Sequence, residues 1–131
     1  MKINDPVVRA EVERAFARYE KALVGNDVAV LDELFHVSPT TVRYGLAENL
    51  YGYDEIAAFR AARPSQGLER SLEQTVITTF GTDFATASTL YRRPSAPGKV
   101  GRQMQTWVRM PDGWRIVAAH VSAIDDAEGG A

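Results

Sequence analysis

Residues 68–124 read LERSLEQTVITTFGTDFATASTLYRRPSAPGKVGRQMQTWVRMPDGWRIVAAHVSAI, and within them β-forming runs alternate with turn chemistry. Leu68–Phe80 is rich in Thr, Val and Ile, which suit a pleated, half-buried surface, and it stops at Gly81-Thr82-Asp83. Phe84–Arg92 runs back. A Pro/Gly/Ser loop over Pro94–Gly98 leads into Val100–Met110, and Pro111-Asp112-Gly113 turns the chain into Trp114–Ile124. Four long strands joined in succession by short connections predict an antiparallel sheet, with an apolar face that something else must cover.

The cover has to come from upstream. Pro6–Val24 reads as a helix: Asn4 and Asp5 are capping residues, and Pro6 suits a first turn, where its missing N–H costs nothing. At 100° per residue, Val8, Val12, Ala15, Phe16, Tyr19, Ala22 and Leu23 share one face, while Arg9, Glu13, Arg14, Glu20 and Lys21 take the other. Gly25 ends this helix. Asn26-Asp27 caps a short second one carrying Val30, Leu31, Leu34 and Phe35, and Pro39 breaks the pattern. Thr41–Tyr44 and Glu48–Tyr51 read as two short strands around Gly45; Asp54 reads as the cap of a third helix from Glu55 to Arg63, stopped by Pro64. Helices followed by a run of strands is the α+β order. The expected fold is a cone of three N-terminal helices packed into a curved antiparallel β-sheet, one domain over residues 1–124, with an open mouth that suits a ligand. Residues 125–131 read as a disordered tail. No repeat or linker interrupts the chain.

The composition agrees. The chain has 131 residues, 45% apolar and 24% charged, as a single globular domain requires. A net charge of −2 offers nothing to nucleic acid or to an anionic membrane, and no run approaches the roughly 18 apolar residues of a membrane span. Met1–Glu13 mixes charged and apolar residues within each turn and reads as no secretory signal. Cysteine is absent, which excludes disulfides and thiolate chemistry and fits a cytoplasmic protein.

Six side chains stand out as candidates for chemistry. Tyr19, central on the apolar face of the first helix, is either a core tyrosine with its hydroxyl at the rim or a phenol aimed into the cone as an acid or donor. Phenols titrate near about pH 10 and are poor bases unless a cation stands close. Arg43 is a candidate for that cation. It faces away from Val42 and Tyr44, and the short strand leaves open which of its faces the helices cover; an inward Arg43 is a permanent charge matched to a carboxylate. Arg63 falls between Ile56 and Phe59 on the buried face of the third helix, flanked by Arg60, either snorkelling or clamping a carboxylate. Glu48 is a general base or an ion-pair partner of an arginine. Gln105 alternates with Gln103 and Trp107 on one strand face, and buried glutamines require polar partners. His120 shares a face with Ile116, Ala118 and Ser122 by alternation, where a lone histidine is more often structural than catalytic. Two histidines and no cysteine argue against a tight transition-metal site, and there is no G-x-S-x-G elbow, P-loop or Gly-rich dinucleotide fingerprint, so no metal or cofactor is expected.

From about Val7 to Ser122 the chain resembles the NTF2-like (SnoaL-like) superfamily, and within it the AtzH/HpxZ branch. The resemblance rests on Arg18–Val24 with Asn26-Asp27, Thr41–Gly45, Glu48–Gly52, Phe59–Pro64, Gly101–Gln103, Gln105–Arg109 and Gly113–Ser122 taken together. It implies the conical α+β fold and a homodimer formed through the sheet. It also implies hydrolysis of 1,3-dicarboxyurea to allophanate in cyanuric acid breakdown, with Tyr19 and Arg43 at the positions of the essential tyrosine and arginine. HpxZ members are associated with oxalurate catabolism, and both settings share a ureido group bearing a carboxylate. The small anionic substrate would then lie between Tyr19 and Arg43, with Glu48, Arg63, Gln105 and His120 as lining residues assigned by strand parity and helix face alone. Two alternatives stand beside this reading. One is a ureide-binding accessory protein that partners an amidase; the other is an isomerase or dehydratase for a hydrophobic substrate, against which the arginine-rich inventory argues.

Overall fold

In the computed structural model, which describes residues 1–126, the first helix (α1) spans Pro6–Val24. Asp5 caps it, its carboxylate accepting from the backbone N–H groups of Val7 and Val8 at 3.2 Å each. Asn4 does something else. At φ 57° it turns the chain aside and pairs with Thr79, donating from its backbone N–H and accepting at Oδ1, both at 2.9 Å. At the other end the left-handed residue is Asn26 (φ 52°), while Gly25 keeps a φ of −84°. Asp27 then caps α2 (Val28–Leu34), accepting from the Val30 N–H at 3.2 Å, and Phe35 lies beyond the helix in extended conformation.

The short strands β1 (Val42–Tyr44) and β2 (Asn49–Tyr51) pair antiparallel. The third helix, α3 (Tyr53–Ala62), starts two residues earlier than its sequence reading. Gly52, at φ 86°, carries the chain from β2 straight into it, so Asp54 lies in the first turn and not at the cap. Glu55 reaches back to accept from the Tyr51 N–H at 2.9 Å. The helix stops at Ala62 because Arg63 precedes Pro64, whose ring disfavours the helical conformation in the residue before it; Arg63 is extended, at φ −73° and ψ 136°.

The four long strands are β3 (Ser71–Phe80), β4 (Phe84–Arg92), β5 (Lys99–Met110) and β6 (Gly113–Asp125). The curved six-stranded sheet runs β2-β1-β6-β5-β4-β3. Every neighbouring pair is antiparallel except β1 and β6, which are parallel, with Arg43 opposite Ala119. Of the tail read as disordered, Asp125 completes β6 opposite Lys99. The Asp126 N–H donates to the Gly98 carbonyl at 2.9 Å, and its carboxylate meets Arg92. The remaining residues, 127–131, lie outside those described.

One irregularity matters for function. Thr106 stands opposite Ala118 and Trp107 opposite Ile116, so Val117 is an extra residue on β6. Strict alternation fails across it: Ile116 faces the core, while Ala118 and His120 face outward.

The helices and the inner face of the sheet share one core, in which Val12, Phe16, Leu31, Leu34 and Phe35 meet Ile77, Ala85, Trp107 and Ile116. Burying each such side chain stabilises the fold by about 1.5–3 kcal/mol. Polar ties fix the orientation of α1: Glu11 accepts from the Trp114 indole at 2.9 Å and pairs with Arg109 at 3.0 Å. The outer face of the sheet leaves Tyr44, Tyr51 and Met104 exposed. No helix among the described residues is long and apolar enough to cross a membrane.

Candidate functional site

Arg43 points inward. Its register puts it opposite the buried Leu50 on β2 and Ala119 on β6, and its side chain is only 13% exposed. Nη1 donates to Glu48 Oε1 at 2.9 Å, and the guanidinium lies 5.7 Å from the Phe59 ring centre. Gly45 makes room for this pair. A Cβ there would fall 1.8 Å from Glu48 Oε1 and 2.8 Å from Arg43 Nη1. Glu48 Oε2 accepts in turn from the Ala47 N–H at 3.1 Å, so of its two readings Glu48 takes the ion-pair geometry.

Tyr19 is buried, with its ring edge-on to Phe35 at 6.3 Å. Its hydroxyl has no hydrogen-bond partner among the described residues. Arg63 lies close by. Freed from the helix by its extended backbone, it is half-buried, and its Nε and Nη2 are withdrawn from solvent with no hydrogen-bond partner among the described residues. Burial holds its pKa below the ordinary arginine value, the charges of Arg60, Arg43 and Arg93 push the same way, and Tyr19 opposes them. Arg63 therefore stands within electrostatic reach of both Tyr19 and Arg43. A half-buried guanidinium with two buried, unpaired donor nitrogens, in the field of further arginines, suits an incoming anion.

The buried position on α3 belongs to Arg60 and not to Arg63, because the helix ends at Ala62. Arg60 is 5% exposed, donates to Asp32 at 2.7 Å and stands 4.7 Å from the Phe35 ring centre. Its charge is already matched.

A second polar group, which sequence reasoning missed apart from Gln103, adjoins the first. The Arg70 side chain is 1% exposed and makes a bidentate pair with Glu20, Nε to Oε2 at 2.8 Å and Nη2 to Oε1 at 2.6 Å. Arg70 stands 4.6 Å from the Tyr91 ring centre, and its Nη2 donates to Gln103 Oε1 at 3.0 Å. Gly101, opposite Tyr91 on β5, permits this; a Cβ there would come within 2.3 Å of the ring. Arg93 donates to the Leu68 carbonyl at 2.6 Å and lies 5.2 Å from the same ring centre. Burial lowers its pKa, as does the charge of Arg70. Gln103 Nε2 is buried and unpaired, and a bare donor of this kind costs about 1–3 kcal/mol. Arg70 and Arg93 sit at strand ends beside loops, where no periodic pattern marks them.

The other two candidates part company. Gln105 is 2% exposed, and its Oε1 accepts from the Trp107 indole at 3.0 Å; it shares the inner face with Arg43, since both stand opposite Ala119. His120 does not join the site. The extra residue Val117 turns it to the outer face opposite Met104, where its ring lies 6.2 Å from Tyr44. Ser122 follows it outward and accepts from Arg102 Nε at 3.2 Å.

Comparison with known proteins agrees with this fold. A family model described as AtzH-like matches residues 1–127. No curated protein sequence matches. Among solved structures, a protein of unknown function from Pectobacterium atrosepticum is 64% identical, with a TM-score of 0.92, covering 94% of this chain and 95% of its own. A cystatin-like fold protein from Burkholderia xenovorans is 50% identical, also with a TM-score of 0.92, covering 96% and 98%. An NTF2-like superfamily protein from Salmonella enterica is 25% identical with a TM-score of 0.71, covering 92% and 94%.

Proposed function

The chain belongs to the AtzH-like family, and from that premise we propose that it is a small-molecule hydrolase acting on a C–N bond of a carboxylated urea. The observation that carries this reading is the half-buried guanidinium of Arg63, whose buried Nε and Nη2 have no hydrogen-bond partner among the described residues, within electrostatic reach of Tyr19 and of the inward Arg43. A substrate carboxylate pairs with Arg63 and Arg43, and Glu48 keeps the Arg43 fork in one orientation. With 1,3-dicarboxyurea, the oxygen of water bonds to a terminal carboxyl carbon and the bond from that carbon to nitrogen breaks. The nitrogen takes a proton, and allophanate and bicarbonate leave. Tyr19 gives its proton to the departing nitrogen and recovers one from the attacking water, so it ends as it began. A related ureide such as oxalurate presents the same carboxylate and ureido groups.

Turnover of dicarboxyurea by the wild type, Tyr19→Phe and Arg43→Ala tests the proposal, with losses of about a hundredfold or more expected in both variants. Full rates in well-folded variants end it. A wild type that binds the ureide without releasing product is instead the binding partner of an amidase. The proposal includes a homodimer through the outer face of the sheet, supported by the exposed Tyr44, Tyr51 and Met104; sedimentation of Met104→Glu as an unchanged dimer rules that face out.

A further inference from the structure

The amide of Gln103 is held in one orientation by groups that leave its donor end with nothing to bind. Arginine has no acceptor, so Arg70 fixes the amide with its oxygen toward Nη2, at 3.0 Å, and its NH2 turned away. Arg70 cannot yield, because Glu20 clasps it at 2.6 and 2.8 Å and Tyr91 backs it at 4.6 Å. Gln103 itself is 2% exposed, so water does not satisfy the free Nε2 by ordinary solvent contact. It lies on the inner face of β5, two residues from Gln105, and Glu20 follows Tyr19 on α1. Gln105 and Arg43 both stand opposite Ala119, so the amide lies on the face of the sheet that carries the inward Arg43.

We propose that Gln103 Nε2 is a specificity-determining donor that accepts only ligands carrying a neutral carbonyl oxygen beside their carboxylate, with Arg70 and Glu20 as its positioning residues. The division of labour is chemical. The arginines match a carboxylate, whereas an uncharged NH2 fixed by its own oxygen matches the carbonyl of a ureido or amide group. This inference rests on the ureide reading and sharpens it, because a site built around a hydrogen bond rejects the analogue that cannot make it.

The test is calorimetric binding of N-carbamoylglycine and of 4-methylpentanoate, which keep the same chain length and carboxylate and differ in the ureido group. The wild type is expected to favour N-carbamoylglycine by about tenfold or more. In Gln103→Met that preference collapses toward unity, while the affinity for 4-methylpentanoate stays within about twofold. Gln103→Glu, which still accepts from Arg70 but offers no donor, also loses the preference, its added charge weakening both carboxylate ligands alike. A wild type with no preference, or a preference unchanged in either folded variant, overturns the inference. Hydrolysis does not enter: a protein that shows the preference without turnover keeps this inference and loses the proposed reaction.

Discussion

Glu48 holds the Arg43 guanidinium by a hydrogen bond of 2.9 Å, and the Glu48 carboxylate fills the very space that a side chain at position 45 would take. The pair spans the β1–β2 corner, so the geometry of a short hairpin sets the orientation of an inward charge. Without a fixed partner, the fork would have several rotamers among which to lose a bound carboxylate.

Gly45→Ala therefore acts at a distance from the ligand. The new Cβ displaces the flexible Glu48 carboxylate and not the backbone, so the expected cost in stability is small, about 1 kcal/mol by chemical denaturation. Ligand affinity is expected to fall about tenfold, and Glu48→Gln, which keeps the shape without the charge, falls between the two. An alanine variant that binds as the wild type does removes the role given to the pair.

Arg63→Met separates function from stability. Two of its guanidinium nitrogens, Nε and Nη2, are withdrawn from water without a protein partner among the described residues, so replacing the side chain with a flexible apolar one leaves stability unchanged or raises it by about 1 kcal/mol. Anion binding, read by calorimetry, is expected to drop at least tenfold in the same variant. A large fall in thermal stability would mean that Arg63 is structural.

Glu20→Gln should be costly in a different way. Arg70 is 1% exposed and loses the charge that offsets its burial, which destabilises the fold by about 3 kcal/mol in urea unfolding. Because Arg70 also sets the Gln103 amide, the variant is expected to lose selectivity as well. Wild-type stability would show that the pair contributes little.

Asp5 gives a signature in pH. The N–H of Val8 chiefly, and then Lys2, lower its pKa from the ordinary 3.8, so the cap's contribution is fully present above that value and is lost as pH falls through the lowered folded value. Asp5→Asn keeps a capping oxygen and removes the titration. Its acid limb between pH 2 and 4 should be measurably flatter than that of the wild type in thermal melts, and superposable curves would contradict the assignment.

Local chemistry made much of this protein legible in its residues. The period of α1, the turns at Gly81-Thr82-Asp83 and Pro111-Asp112-Gly113 and the order of helices before strands each depend on near neighbours, and the α+β cone follows from them. Pro64 likewise fixed the end of α3 and the extended backbone of Arg63 through a contact between adjacent residues. What tertiary structure alone decided is where charge and donors face. Arg43 points inward because β1 docks in parallel on β6, some 75 residues away. Arg60 finds Asp32 and Arg70 finds Glu20 across helices and loops that no period connects. His120 faces outward because one extra residue, Val117, shifts the register against β5, and alternation counted along a single strand cannot register a slip that exists only between two.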